Sequence, residues 1–285
     1  MAIKDSPTFR RRRVALELRR LREGADLTLE QASAHLECSP TKLSRMETAR
    51  TPLHPRDVRD LLDLYGVTDE KVRETLTGLA RDSRKKGWWQ GYDDVLPAKF
   101  SIFLGLETAA SSIEAYRSQL LYGLFQTPDY ARALMSVDVL RLKPEEVDRR
   151  VELRMARQEL LTKEDPLRVW AILDESVLHR IVGGREVMRA QLQHLLRLSE
   201  LPNVVIQVLP YEAGPVLATP ESFNYLRFPD SNDSPIVYME YSTGALYLER
   251  EEEIQEYRNM IDHLIANGVG IDKSLAMIAA VMKEL

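Results

Sequence analysis

The chain has 285 residues, of which 44% are hydrophobic and 29% charged. That composition excludes a wholly disordered chain, and at roughly 100 to 200 residues per domain the length predicts two domains. The single cysteine, Cys38, excludes an internal disulfide and a cysteine-based metal cluster. No stretch approaches the ~20 consecutive apolar residues that span a bilayer. The basic run Arg10-Arg11-Arg12-Arg13 is not followed by the apolar core of an export signal, so a soluble, cytoplasmic chain with no membrane contact is expected. The net charge of -5 is unevenly spread: residues 1–86 hold 19 Lys and Arg against 14 Asp and Glu, leaving the remainder at -10. A basic end suits a polyanionic partner, because attraction depends on the local field and not on total charge.

In chain order, Phe9 to Glu23 is predicted as an amphipathic helix, with Val14, Leu18 and Leu21 on one face and Gly24 as its stop. Thr28 caps a short second helix from Leu29 to Leu36, and Glu30 and Gln31 sit where first-turn acceptors are favoured. Ser39 caps a third helix, with Pro40 at its first position, running to about Thr48. A fourth follows Pro55 and buries Val58, Leu61, Leu62 and Tyr65, and a fifth lies within 69–86. The pattern then breaks at Gly87, Trp88, Trp89, Gly91 and Pro97, which places a boundary segment at 87–105 between domains 1–86 and 106–285.

From Leu106 to Leu161 the chain is expected to be helical, including a charged stretch from Glu145 to Glu159 that keeps Val147, Val151 and Met155 on one face. Strands are expected only afterwards, at Val169–Leu173, Val204–Leu209, Phe223–Phe228, Ile236–Tyr241 and Ala245–Leu248. Helices at Val187–Leu201 and Glu252–Ala266 complete the set. The expected fold class is therefore a mainly α N-terminal helix-turn-helix domain followed by a mixed α+β C-terminal domain with a small sheet.

The segment Leu27 to Glu47 carries the chemistry. Ala32, Leu36, Cys38, Leu43 and Met46 face inward, and small Ser33 lets the two helices approach closely. Thr41, Lys42, Ser44 and Arg45 face outward, where a Lys or Arg can donate to guanine O6 and N7 in a major groove. Ser39 and the helix start it caps, with Thr28 before the preceding helix, suit phosphate contacts, which position a protein without reading sequence. The DNA-binding residues expected are thus Thr28, Ser39, Thr41, Lys42, Ser44 and Arg45, with double-stranded DNA as the partner. The Arg10 to Arg13 run, with Lys4 before it, fits either a solvated face or an arm along the DNA backbone.

This segment resembles the helix-turn-helix of the phage repressor and Cro-like family, the xenobiotic-response-element (XRE) type. The resemblance rests on the apolar pattern, the Ser after the turn and Leu-Ser-Arg-Met-Glu closing the third helix. It implies a structural pair between Arg22 and Glu47. Two positions depart from that family: Glu37 stands where Gly is common in the turn, and Leu29 where a phosphate-contacting Gln is common. A non-glycine left-handed residue costs roughly 1 kcal/mol.

Further along, Tyr122–Leu134, Arg150–Gln158, Leu173–Leu178, Ile206–Pro210 and Gly244–Glu249 are similar to an actinobacterial family of antitoxin-like, WhiJ-type regulators. These join such a helix-turn-helix to a C-terminal domain of uncharacterised function. The resemblance implies a small protein partner encoded nearby. A dimer is expected because one module of this size seldom binds tightly alone. Two functions stay open: a transcriptional regulator controlled through its C-terminal domain, or an interaction protein that sequesters a small partner and autoregulates its operon.

In the second domain, Tyr122, Phe125, Tyr130, Trp170, Tyr241 and Tyr247 are expected in the core, and Gly123, Pro128 and Gly244 at turns. Arg132, Arg150, Arg154 and Arg157 are expected at the surface or in ion pairs, open to an anionic ligand or acidic partner. No cofactor, catalytic residue or metal site is expected. Glu107, Asp174, Glu175 and Glu240 give acids without a fixed geometry, and His35, His54, His179, His194 and His263 lack metal-ligand spacing.

Overall fold

The computed structural model describes residues 6–137, 142–216, 221–230 and 233–285. They divide into two compact units, one holding the described residues up to 90 with 104–109, the other 91–103 with 110–285.

The first unit is helical. Ser6 starts α1 (Pro7–Gly24) by accepting from Phe9 N at 3.3 Å, with Pro7 already in the first turn. That early start turns the Arg10 to Arg13 run into helix, not an extended arm. Arg10 shares the buried stripe of Val14 and Leu18 and pairs with Asp82 at 3.3 Å, while Lys4 lies outside the described residues. Next come α2 (Leu29–His35), α3 (Pro40–Glu47), α4 (Pro55–Leu64) and α5 (Glu70–Asp82). Val14, Leu18, Ala32, Leu43, Leu61 and Leu62 are fully buried at their common centre.

The helix α6 (Ala98–Ala109) supplies residues to both units. Beyond it the chain forms β1 (Ser112–Arg117), which overturns the expectation of continuous helix from Leu106 to Leu161. Ile113 and Ala115 are fully buried on one face of β1 and Tyr116 is buried on the other, and pairing with distant strands outweighs the helical leaning of Glu114 and Ala115. The rest follows as α7 (Pro128–Met135), α8 (Pro144–Arg157), β2 (Arg168–Asp174), α9 (Ser176–His179), α10 (Arg185–Leu198), β3 (Val204–Leu209), β4 (Phe223–Arg227), β5 (Ile236–Tyr241), β6 (Gly244–Leu248), α11 (Glu251–Asn267) and α12 (Ile271–Glu284). The last helix was not anticipated, although Ser274, Ile278 and Val281 give it a buried i, i+4, i+7 stripe.

The six strands form one mixed sheet in the order β3-β2-β1-β4-β5-β6. β1, β2 and β3 run parallel, and β4, β5 and β6 add in antiparallel succession. One face packs Tyr116, Ile172, Phe223, Tyr225 and Val237 against Ile261 and Leu264 of α11. On the other, Ile113, Ala115, Ala171, Leu173, Ile206 and Val208 are fully buried. A sheet edge exposes unpaired backbone groups, and β3 is such an edge. The link from α11 to α12 and the first turn of α12 pair it at Val208: Val269 N donates to Val208 O at 3.0 Å, and Val208 N donates to the Ser274 hydroxyl at 2.9 Å.

Of the residues expected in the core, Tyr122, Phe125 and Tyr130 are buried and Trp170 and Tyr247 are half-buried. Tyr241 is 50% exposed, because it ends β5 at the hairpin tip. Gly123 opens a short 3-10 turn, whereas Pro128 begins α7 and Gly244 begins β6.

Ser274→Ala should lower stability by about 1 to 3 kcal/mol, because it leaves the buried Val208 N–H without its acceptor. Urea unfolding measures this, and an unchanged midpoint would show that the edge is held by other contacts.

Candidate nucleic-acid interface

Two short helices, α2 and α3, need a scaffold, since seven or eight residues are too few to be stable alone in water. Each is first fixed at its own start. Thr28 Oγ1 accepts from Gln31 N at 3.2 Å while Gln31 Oε1 accepts from Thr28 N at 2.8 Å, a reciprocal capping box. Ser39 Oγ accepts from Lys42 N at 3.2 Å, and Pro40 takes the first position of α3. Between the helices Glu37 adopts φ 49°, the left-handed conformation usually given to glycine, and Cys38 N closes the turn on Ser33 O at 2.9 Å. Ser33 is buried and Cys38 half-buried against the helical core.

A single guanidinium ties the parts together. From the last turn of α1, Arg22 donates through Nε to Glu47 Oε1 at 2.8 Å and through Nη2 to Glu47 Oε2 at 3.0 Å. Its Nη1 donates to Leu27 O at 2.8 Å, just before the Thr28 cap. The side chains are only 10% and 4% exposed, and this is the pair that the resemblance implied. The two-pronged geometry fixes both the distance and the rotation of α3 against α1. Beside it Tyr65 packs into the same core, where burial, with the Glu47 charge, holds its phenol well above the usual range.

With Leu43, Met46 and Glu47 turned inward, Thr41, Lys42 and Arg45 share the exposed face of α3. Ser44 is half-buried at its border, and its carbonyl accepts from the Thr48 hydroxyl at 2.8 Å. Thr28 and Ser39 are exposed at the starts of their helices. Most arginines nearby are already paired: Arg19 with Glu23, Arg20 with Glu17, Arg73 with Asp63. Lys42 and Arg45 form no ion pair with any described residue. Arg50, which is not among the residues expected from the sequence, is an exposed cation just after α3, and its backbone N–H donates to Arg45 O at 2.8 Å. Its only signal was its closeness to the third helix.

The candidate acids are scattered. Asp174 Oδ1 accepts from Ser176 N and Glu175 Oε2 from Tyr211 N, so both brace loops at the ends of strands. Glu107 is fully buried in the first unit, and Glu240 is exposed on β5 of the second.

Residues 100–280 match the family described as a domain of unknown function, DUF5753. The chain belongs to that family. Ahead of this DUF5753 domain, residues 13–75 match a helix-turn-helix domain, which supports a DNA-binding regulator. No curated protein and no solved structure matches the chain. Among the described residues no single helix is long and apolar enough to cross a membrane.

Glu47→Gln should cost about 3 to 5 kcal/mol of stability, because it strands a buried guanidinium. Arg22→Met with Glu47→Leu should cost far less, since an apolar pair of similar volume replaces both charges. Urea unfolding of the two variants beside the wild type reads the difference, and equal losses would reject a role based on compensated charge.

Proposed function

We propose that this chain is a sequence-specific, DNA-binding transcriptional regulator of the cytoplasm. It binds operator DNA as a homodimer and is controlled through its DUF5753 domain by a small protein partner or a ligand. The observation that carries this reading is the face of α3: Lys42 and Arg45 are exposed and without ion-pair partners among the described residues, on a helix tied from behind by Arg22 and Glu47. Cations with no internal partner are available to a polyanion, and a recognition helix held in one orientation can read base edges.

Arg45 takes the role of base reader, donating to guanine O6 and N7, with Lys42, Thr41 and Ser44 beside it. Ser39, Thr28 and Arg50 take phosphate positions. In a two-fold dimer the half-sites lie about one helical turn apart, roughly 34 Å, or a multiple of it. The likeness to antitoxin-like, WhiJ-type regulators supports control by a small partner encoded nearby. No catalytic step is assigned, since Asp174 and Glu175 are engaged with backbone N–H groups.

Genome-wide immunoprecipitation of the wild type beside a Lys42→Ala/Arg45→Ala variant, shown by circular dichroism to be folded, tests the proposal. The expected result is discrete wild-type sites with a shared half-site, lost in the variant, with each contact worth about 1 to 3 kcal/mol. Absence of enriched sites for the wild type would reject the regulator reading and put partner sequestration first.

A further inference from the structure

The DUF5753 domain contains an open cleft of about 610 Å³ at the carboxyl end of β1, within the 300 to 1,000 Å³ usual for small-molecule sites. In open sheets, crevices form outside the carboxyl ends of strands where the connections part. Here the chain leaves β1 toward α7, α8 and the parallel strand β2, while antiparallel β4 enters on the other side.

The lining is unusual for its domain. Four arginines, Arg117, Arg150, Arg154 and Arg157, face two carboxylates, Glu221 and Glu240, so the cleft is net positive. Residues 87–285 as a whole carry -10. Arg150, Arg154 and Arg157 fall at i, i+4 and i+7, one face of α8.

Three of the four are held in place. Arg157 is 3% exposed, its guanidinium 5.1 Å from the Phe100 ring and 5.6 Å from Phe103. Arg154 Nη1 donates to Gln126 Oε1 at 2.5 Å, and Gln126 is itself fixed to Leu121 O. Arg117 lies 4.4 Å over the Tyr122 ring and donates to Phe223 O at 2.9 Å. The fourth, Arg150, makes no ion pair with a described residue, and its Nε is buried without a hydrogen-bond partner among them. The buried aromatic surface of Phe103 stacks on Tyr238 at 4.1 Å to form an apolar wall.

Burying a guanidinium such as that of Arg150 is costly unless an anion or hydrogen bonds compensate it, and the rings that line the cleft favour a flat apolar body. We propose that this cleft binds a small organic anion, a carboxylate, sulfonate or phosphate on an aromatic body. Its charged group lies against Arg150 and Arg154, and its ring against the aromatic wall. As the site of an effector this rests on the DUF5753 domain being regulatory, but binding itself does not.

Fluorescence titration of the full-length chain with 8-anilinonaphthalene-1-sulfonate, beside its neutral analogue N-phenyl-1-naphthylamine, tests the site. The sulfonate should bind saturably and about tenfold or more tighter than the neutral amine. Arg150→Gln should weaken the sulfonate about tenfold and leave the amine unchanged, whereas Arg132→Gln, paired with Asp148 outside the cleft, should change neither. Equal binding of both probes, no saturable binding, or indifference to Arg150→Gln would overturn the proposal. Displacement of the sulfonate by a Glu-rich peptide but not by 2-naphthoate would also overturn it, in favour of an acidic protein segment. No DNA is present in this assay, so its failure and failure of the regulator reading are separately visible.

Discussion

The ion pair between Arg22 and Glu47 is the constraint on which the helix-turn-helix unit depends. A buried pair of this kind adds little net stability over an apolar pair of the same volume, because desolvation offsets most of the attraction. What it supplies is geometry. Three hydrogen bonds from one planar guanidinium reach the end of α3 and the carbonyl of Leu27, so the turn of α2 and α3 is held against α1 at a defined angle. Only then does the inward turn of Leu43 and Met46 imply the outward turn of Lys42 and Arg45. The pair is itself buried, yet it decides which side chains α3 presents on its exposed face.

The second unit solves a different problem with similar means. Its central strands are buried on both faces, so its liabilities are the edges and the ends of the strands. Along β3 the link from α11 to α12 supplies the missing hydrogen-bond partners, with Gln207 Nε2 adding donors to Ile265 O and Val269 O. At the carboxyl end of β1 no described residue fills the space in a comparable way, and arginines line it instead. A closed edge and an open, charged crevice are compatible in one domain because a rigid frame is what keeps a binding site in shape.

Much of the first unit was legible because its signals are local. Thr28 and Ser39 mark helix starts through bonds made within three residues, Pro40 and Pro55 mark them by standing at the first helical position, and Glu37 occupies the left-handed turn position where it was expected. The pair of Arg22 with Glu47 was legible only through family resemblance, since 25 residues separate them. Strand β1 was misread because its partners are β2 at 168–173 and β4 at 223–227, and a six-residue run with Glu and Ala says little without them. The same holds for the cleft: the spacing of Arg150, Arg154 and Arg157 can be read on one helix, but Tyr122 and Tyr238 reach it from far away in the chain. The basic run at Arg10 was ambiguous until Ser6 and Asp82 showed where the helix begins and what it pairs with.

Whether the outward face of α3 reads base sequence can be measured by selecting duplexes from a random DNA pool with the wild type beside separately purified Arg45→Ala. The expected result is one recurring motif for the wild type, and for the variant the same motif relaxed at a single guanine position. An identical motif from both proteins, or none from the wild type, would rule out Arg45 as a base reader.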